Sequence, residues 1–485
     1  MVFSSTVFLC AFLPIFLWLY TLAPRVLKNP FLLLASVCFY AWGAPLFLFV
    51  VLGMTAATYC LVAIMNHAHS PLVRRGLMVA AVGLNLGLLV YFKYLNFFIE
   101  NVNNVLALAS PGWRAFELAK VALPIGISFY TFETITYIVD VYRGVHKPLD
   151  RYWHYQLYIL MFPKLIAGPI VRFHEIADQF FDRFDRDSAD DRLVGMHRFC
   201  LGLGKKVLIA NALAGFVDGV YGDSITGTGG IDPATVDMKT AWFAATAYAL
   251  QIYFDFSGYS DMAIGLGRFM GFRLPENFDC PYIAASVTEF WRRWHITLGA
   301  WMRDYLYIPL GGNRVSPARM YLNLWIVFVL SGLWHGASWN FILWGAWHGL
   351  FLICERHWNF HKGAGFGRYL RIPLTFVVVV LGWVFFRVEQ FESATLFTKA
   401  MLGLGSGTQS LAFPVESLGG LIAGTFFSFV CVASFGVRLK SWIYEGAVQT
   451  LAGRLFMTLS SIALFTLSLA QLAAAEFNPF IYFRF

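Results

Sequence analysis

The stretch Ser331-Gly332-Leu333-Trp334-His335-Gly336-Ala337-Ser338-Trp339-Asn340 lies between two apolar runs, Tyr321–Leu330 and Phe341–Phe351. A histidine between two such runs reads as sitting at membrane depth, where an ionisable side chain is costly and marks a working site. Gly332 and Gly336 bracket it, so the backbone there is free to bend or to take another segment close. His348, in Trp347-His348-Gly349, lies farther along the second run. A second candidate stands 40 residues upstream: His295, in Glu289-Phe290-Trp291-Arg292-Arg293-Trp294-His295.

Composition sets the solvent for these runs. Of 485 residues, 58% are hydrophobic and 13% charged, against roughly 25% charged in an ordinary soluble domain. That deficit describes an all-α polytopic membrane protein. Its net charge of +8 follows from the gathering of Lys and Arg in cytoplasmic loops. No basic tract stands apart from the apolar segments, which excludes nucleic acid as a partner. The seven cysteines form no Cys-x-x-Cys pair and read as small apolar core residues. Cys280, in Asp279-Cys280-Pro281, has a polar setting and is not assigned as a nucleophile.

A spanning helix needs about 20 apolar residues. Val2–Ala23 qualifies, and Arg25 and Lys28 after it place the N-terminus outside. Phe31–Met65 divides at Trp42-Gly43-Ala44-Pro45 into two helices. Leu77–Tyr91 crosses outward to an Asn101–Asn104 loop, and Ala122–Val141 returns. Tyr158–Val171 holds Pro163 and Pro169 and reads as a broken or re-entrant segment packed within protein. Glu175–Lys206, with mixed charge, reads as solvated cytoplasmic helix and loop. Val207–Tyr221 is apolar, Gly222–Asp237 an outer loop, and Thr240–Ile264 a span carrying Asp255 and Asp261. Leu322–Trp334 and Trp339–Cys354 make a short-armed hairpin around His335. Pro373–Phe386, Leu421–Val437 and Phe456–Ala475 complete roughly 11 to 13 membrane segments by the length rule. Arg25, Arg74, Arg143 and Arg273 are expected on the cytosolic side.

Ser286–Arg303 reads as one helix. Phe290, Trp294, Leu298 and Trp301 recur at helical spacing, and Glu289 is placed to pair with Arg292 or Arg293 one turn on. A helix aromatic on one side and basic on the other lies in a membrane interface, and as a mere anchor it would leave His295 incidental. His335 has a bland alternative too, a packing histidine bonded across helices. Against this, an imidazole with its ordinary pKa of about 6.5 is the usual base for activating a hydroxyl or thiol. Catalytic zinc takes three protein ligands; no third His or Cys falls at ligand spacing, so no metal is assigned. Asp255 and Asp261 are placed to hold an arginine, to orient a histidine, or simply to bond between helices.

Several motifs occur together: Tyr253-Phe254-Asp255-Phe256-Ser257-Gly258-Tyr259-Ser260-Asp261, Leu274-Pro275-Glu276-Asn277-Phe278, Glu289–His295, Arg303-Asp304-Tyr305, Gly311-Gly312-Asn313 and Ser331–Gly336. In order and spacing the set resembles the membrane-bound O-acyltransferase family, in the bacterial branch that modifies cell-surface polymers. The resemblance covers residues 120–355, within a single membrane domain over 1–485 flanked by helices at 1–119 and 356–485. It implies a ring of helices, thin at its centre, with a tunnel between the two faces. His335 falls on the family's catalytic histidine and His295 on its second active-site position. Asp255, Asp304 and Asn313 match family-typical positions, with Arg292, Arg293 and Tyr253 alongside them on the substrate path.

The implied activity is transfer of acetyl groups from a cytosolic thioester, acetyl-CoA or another, across a bacterial inner membrane. The acceptor side would be a periplasmic acetyltransferase partner and an exopolysaccharide, alginate first among them. No bound cofactor is expected, and membrane lipid is the surrounding partner. His335 would act as general base or brief acyl carrier, and His295 would orient it or stabilise the oxyanion. Two other classes share these features: a transporter or export subunit of a polysaccharide-secretion complex, and a non-catalytic assembly subunit.

Overall fold

The computed structural model describes residues 3–109, 116–119, 121–222, 229–358, 366–474 and 481. Among them there is no β-strand; one isolated bridge joins Val236 to Gln409. Six helices are long and apolar enough to cross a membrane, or seven if the bent pair Ser417–Val432 and Ser434–Tyr444, turned by 108°, counts as one span. Their outward faces are apolar: only 11% of the Leu451–Ala474 window is buried, and 17% of that in Pro71–Ala109. Lipid is the solvent in which such faces are stable. The protein is an all-α, multi-pass membrane protein.

The chain groups into two compact units, Val7–Asp185 and Arg186–Phe485, the latter joined by the few residues before Val7. The 120–355 stretch runs across that boundary. In the first unit, the expected division after Trp42 falls at Ala44, and Pro45 opens the next helix, Pro45–His67. A proline in a first turn gives up an N–H that has no helical acceptor there. The first apolar helix is shorter than expected, Phe8–Leu22; Val2 lies outside the described residues. The Asn101–Asn104 loop is not a loop. Pro71–Ala109 runs as 39 continuous residues, because its asparagines are spent within structure. Asn101 Nδ2 donates to Phe97 O at 2.7 Å. Asn103 both donates to and accepts from the Phe116 backbone, at 2.9 and 2.8 Å. The broken segment behaves as expected: residues 154–171 are all buried, and Lys164 forms a buried ion pair with Glu133.

In the second unit, the solvated reading of Glu175–Lys206 fails from Val194 onward, as it does in the first unit at the fully buried Arg183. Ala189–Tyr221 is one helical run of 33 residues that takes Arg198, Lys205 and Lys206 into the protein. Arg198 is 5% and Lys206 2% exposed. Carboxylates waiting on the facing helix, Met238–Phe269, offset their desolvation. The two helices touch backbone to backbone: a Cβ on Gly202 would lie 2.4 Å from Gly258 O, and one on Gly258 would lie 2.6 Å from Gly202 O. Close approach through paired glycines is a membrane packing device. Asp237 caps the second helix, its Oδ1 accepting from Thr240 N at 2.7 Å. Of the expected outer loop Gly222–Asp237, residues 223–228 lie outside the described residues, as does Ala475.

Two further expectations change. The hairpin arms around His335 are not short: they are Pro317–His335 and Trp339–His357, 19 residues each. The pair packs closely, since a Cβ on Gly332 would meet Phe341 O at 2.1 Å and one on Gly345 would meet Phe328 O at 2.2 Å. Ser286–Arg303 is not one helix. It breaks into Val287–Arg293 and Ile296–Met302, and the break is Trp294-His295.

Candidate active site

His335 is the last residue of Pro317–His335 and is 3% exposed. Its ring is held edge-on by Trp344 at 5.1 Å and 88°, and by Phe386 at 5.2 Å and 72° between centroids and planes. His295 is 1% exposed and meets Phe256 edge-on at 4.7 Å. The two imidazoles have centroids 6.4 Å apart, with 60° between planes. The structure thus brings together the two histidines singled out 40 residues apart. His348, fully buried, stacks on Phe290 at 6.1 Å and meets Trp344 at 5.2 Å.

His295 has a left-handed backbone, φ 45°, which is costly for a residue with a Cβ. What holds it there is Asn277. Its side-chain Oδ1 lies 3.0 Å from His295 Nδ1 and accepts from Thr297 N at 3.3 Å and from Thr297 Oγ1 at 2.9 Å. Its Nδ2 donates to Ser260 Oγ at 3.1 Å. The backbone joins in: Asp279 N donates to Arg293 O at 2.9 Å and Ile296 N to Asn277 O at 3.0 Å. On the other side, the Glu355 carboxylate receives Val287 N at 2.5 Å and Thr288 N at 2.9 Å. A carboxylate at a helix N-terminus answers its unpaired N–H groups. Burial pushes the His295 imidazole down to about 3, so it is neutral at ordinary pH.

The supporting residues divide. Asp255 does not reach either histidine. It pairs with Lys206 at 2.5 Å and accepts from Ile481 N at 2.9 Å. Asp261 holds Arg198 at 2.9 Å and Lys205 at 2.6 Å, and Tyr444 donates to it at 2.9 Å. Arg198 also grips Glu276 with both terminal nitrogens, at 2.6 and 2.5 Å, and so anchors the residue before Asn277. Tyr253 packs in an aromatic cluster against Tyr282 at 5.4 Å and Trp294 at 6.1 Å. Arg293 bridges Glu289 at 3.0 Å and Asp279 at 3.1 Å. Asn277 lies within the Leu274–Phe278 motif, where nothing local in the sequence marks it as a partner of His295. A buried asparagine beside a helix break is visible only once the break is.

Arg292 and Asn313 are exposed and line a cavity of about 970 Å³ with Trp291, Arg303, Ser331 and Arg356. Arg356 Nη2 donates to Asn313 Oδ1 at 3.1 Å, as does Tyr307 OH at 2.7 Å. Asp304 lies beside it, paired with Arg303 at 2.7 Å. Asp304 offsets the charge of Arg303, so Arg292 and Arg356 are the lining groups that give the cavity its positive field, which raises the local concentration of an anion. Ser331 is one turn before His335, and the lining residue Ile296 follows His295. The two buried imidazoles are not themselves in its lining, which reaches them only through these chain neighbours.

Residues 151–395 match the family model described as MBOAT, membrane-bound O-acyltransferase family. Over its full length the chain is 40% identical to the probable alginate O-acetylase AlgI of Azotobacter vinelandii, all of which is covered. It is 37% identical to the peptidoglycan O-acetyltransferase of Helicobacter pylori over 83% of this chain and 80% of that one. It is 27% identical to the teichoic acid D-alanyltransferase of Bacillus subtilis over 55% of this chain and 69% of that one. By the family match and these relatives, this chain is an O-acetyltransferase and belongs to the membrane-bound O-acyltransferase family.

Proposed function

We propose that the protein takes an acetyl group from a cytosolic thioester, acetyl-CoA, and moves it across the inner membrane for O-acetylation of an exopolysaccharide, with alginate the first choice. The relatives' names support a polymer acceptor. The observation that carries the reading is the buried pair His295 and His335, 6.4 Å apart, whose chain neighbours Ile296 and Ser331 line a cavity together with Arg292, Arg303 and Arg356. Those arginines suit the phosphates of a nucleotide-bearing thiol carrier. The thioester end would pass Ser331 and Ile296 to the histidines. There the acceptor oxygen attacks the acyl carbon, its O–H bond breaks, and the C–S bond breaks to leave an ester and a thiol. One histidine takes the proton while the other holds the acyl group. On the outer side a periplasmic acetyltransferase partner would receive the group for the polymer.

Membrane vesicles from cells that make the protein and its polymer, supplied with radiolabelled acetyl-CoA on the cytosolic face, test this. Label is expected in the polymer fraction, and its appearance there is expected to need His335. A transporter without chemistry of its own would leave the label on the thioester.

A further inference from the structure

The hydrogen bonds around Asn277 determine which nitrogen of His295 carries its proton. Thr297 N is a backbone donor, so the Asn277 atom 3.3 Å from it must be the amide oxygen. The Thr297 hydroxyl points at the same oxygen at 2.9 Å, and the amide nitrogen is turned to Ser260 Oγ at 3.1 Å. His295 Nδ1 lies 3.0 Å from that oxygen. An oxygen with only lone pairs to offer requires a donor, so Nδ1 bears the hydrogen. Nε2 is then a bare lone pair. It is buried and has no hydrogen-bond partner among the described residues.

We propose that Asn277 is a positioning residue: it locks His295 in the tautomer whose Nε2 accepts a proton, making His295 the base that takes the acceptor's hydroxyl proton. This rests on the acyl-transfer reading above and divides its two roles. A nitrogen without hydrogen cannot donate to an oxyanion, so the expectation that His295 stabilises the oxyanion gives way, and holding the acyl group falls to His335. In the step, the acceptor O–H bond breaks as its oxygen bonds the acyl carbon. The proton passes to Nε2, the C–S bond breaks, and the proton leaves Nε2 for the departing thiolate. The left-handed backbone at His295 agrees, since strain of this kind persists where the surroundings over-determine a working geometry.

The surroundings also make the proposal testable by pH. From the hairpin the titratable group facing His295 is His335. From Met238–Phe269 it meets Phe256, and Ser260 reaches it only through Asn277. From the 274–279 segment it meets Asn277, while the neighbouring Glu276 carboxylate is turned to Arg198. Asn277→Asp therefore places a carboxylate against Nδ1 where no other stands, and an opposite charge there stabilises the imidazolium by about 1–3 pK units. The charged ring cannot accept a proton, so the acid limb of transfer rate against pH should move up by about one unit or more. Asn277→Leu, which frees the tautomer, should lower the rate by about 10²-fold or more.

Both variants are assayed as the full chain in vesicles equilibrated at each pH, with radiolabelled acetyl-CoA as the probe and the melting temperature read in parallel. An Asn277→Asp limb that stays in place overturns the proposal, as does folded Asn277→Leu keeping over half the rate. If Asn277→Leu does not fold, the Asn277→Asp limb decides alone. Label transfer by the unaltered chain with an unmoved limb removes this inference only. No transfer by the unaltered chain removes the acyl-transfer reading and this inference with it.

Discussion

Removing His295 and His335 singly and together measures whether they act as one unit. Their centroids are 6.4 Å apart and their planes cross at 60°, too far for a ring-to-ring hydrogen bond. A single group bonded to both would set their nitrogens roughly 5–6 Å apart, twice an ordinary hydrogen-bond length. The geometry therefore fits one reacting group held between the rings. A positioned base contributes about 10²–10⁴ in rate, which is about 2.7–5.4 kcal/mol of barrier at 1.36 kcal/mol per tenfold. His295→Ala and His335→Ala should each cost that much. Residues that serve one step are not additive, so the double variant should be little worse than the poorer single one. Independent action would instead multiply the losses to about 10⁴–10⁸. The assay is the initial rate of label entering polymer in vesicles, normalised to inserted protein. Multiplied losses, or His295→Ala keeping more than half the rate, would refute the paired site.

Three other outcomes follow from the packing. Below its unfolded pKa of 6.5 the released His295 binds a proton that the folded ring, at about 3, does not. Stability present above pH 6.5 is thus lost on acidification by about 1.4 kcal/mol per pH unit from this group; melting curves in detergent between neutral pH and about pH 5 should show a shallower slope for His295→Gln, and equal slopes would contradict the burial argument. Arg198→Leu leaves Asp261 and Glu276 short of a buried partner and should destabilise by about 3–5 kcal/mol, read as a fall in melting temperature; an unchanged value would show that Lys205 alone suffices. Gly345→Leu has no room beside Phe328 O and should cost about 1–3 kcal/mol or more with faster proteolysis of the hairpin, whereas wild-type resistance would mean the two helices part easily.

How much of this could be read in the sequence depended on range. His335 was legible because its signal is local: an imidazole and two glycines between apolar runs. The division before Pro45 and the break in Tyr158–Val171 were legible for the same reason, since proline acts on its own backbone. The charges of Ala189–Tyr221 were misread because composition cannot show that Asp255, Asp261 and Glu276 wait opposite Lys206, Lys205 and Arg198. Asn101–Asn104 looked like a turn because asparagine favours turns, yet here those side chains bond to helix and neighbouring backbone. At the site, Phe290, Trp294, Leu298 and Trp301 are all buried, but the break at Trp294-His295 divides them, so they do not form the single helical stripe that their spacing suggests. The break in that helix was invisible because its cause, Asn277, lies 18 residues before His295.

That break is where membrane packing and chemistry meet. A left-handed backbone at a residue with a Cβ costs about 1–3 kcal/mol. Five hydrogen bonds hold the break: Asp279 N to Arg293 O, Ile296 N to Asn277 O, and three to Asn277 Oδ1 from His295 and Thr297. At about 0.5–1.5 kcal/mol net each they outweigh the strain. They can do so only if the 274–279 segment itself stays in place, and Arg198 gripping Glu276 from within a membrane helix does that. The chain of support thus runs from Asp261 through Arg198 and Glu276 to Asn277, and from Asn277 to His295. A continuous helix would have set His295 on the face of Trp291, Gly299 and Met302, bound to the direction of its own axis. Interrupting the helix at that residue frees the ring from that direction and lets a side chain from another segment fix both its orientation and its proton. The buried charges of the second unit therefore act on the chemistry without touching it, by holding one asparagine still.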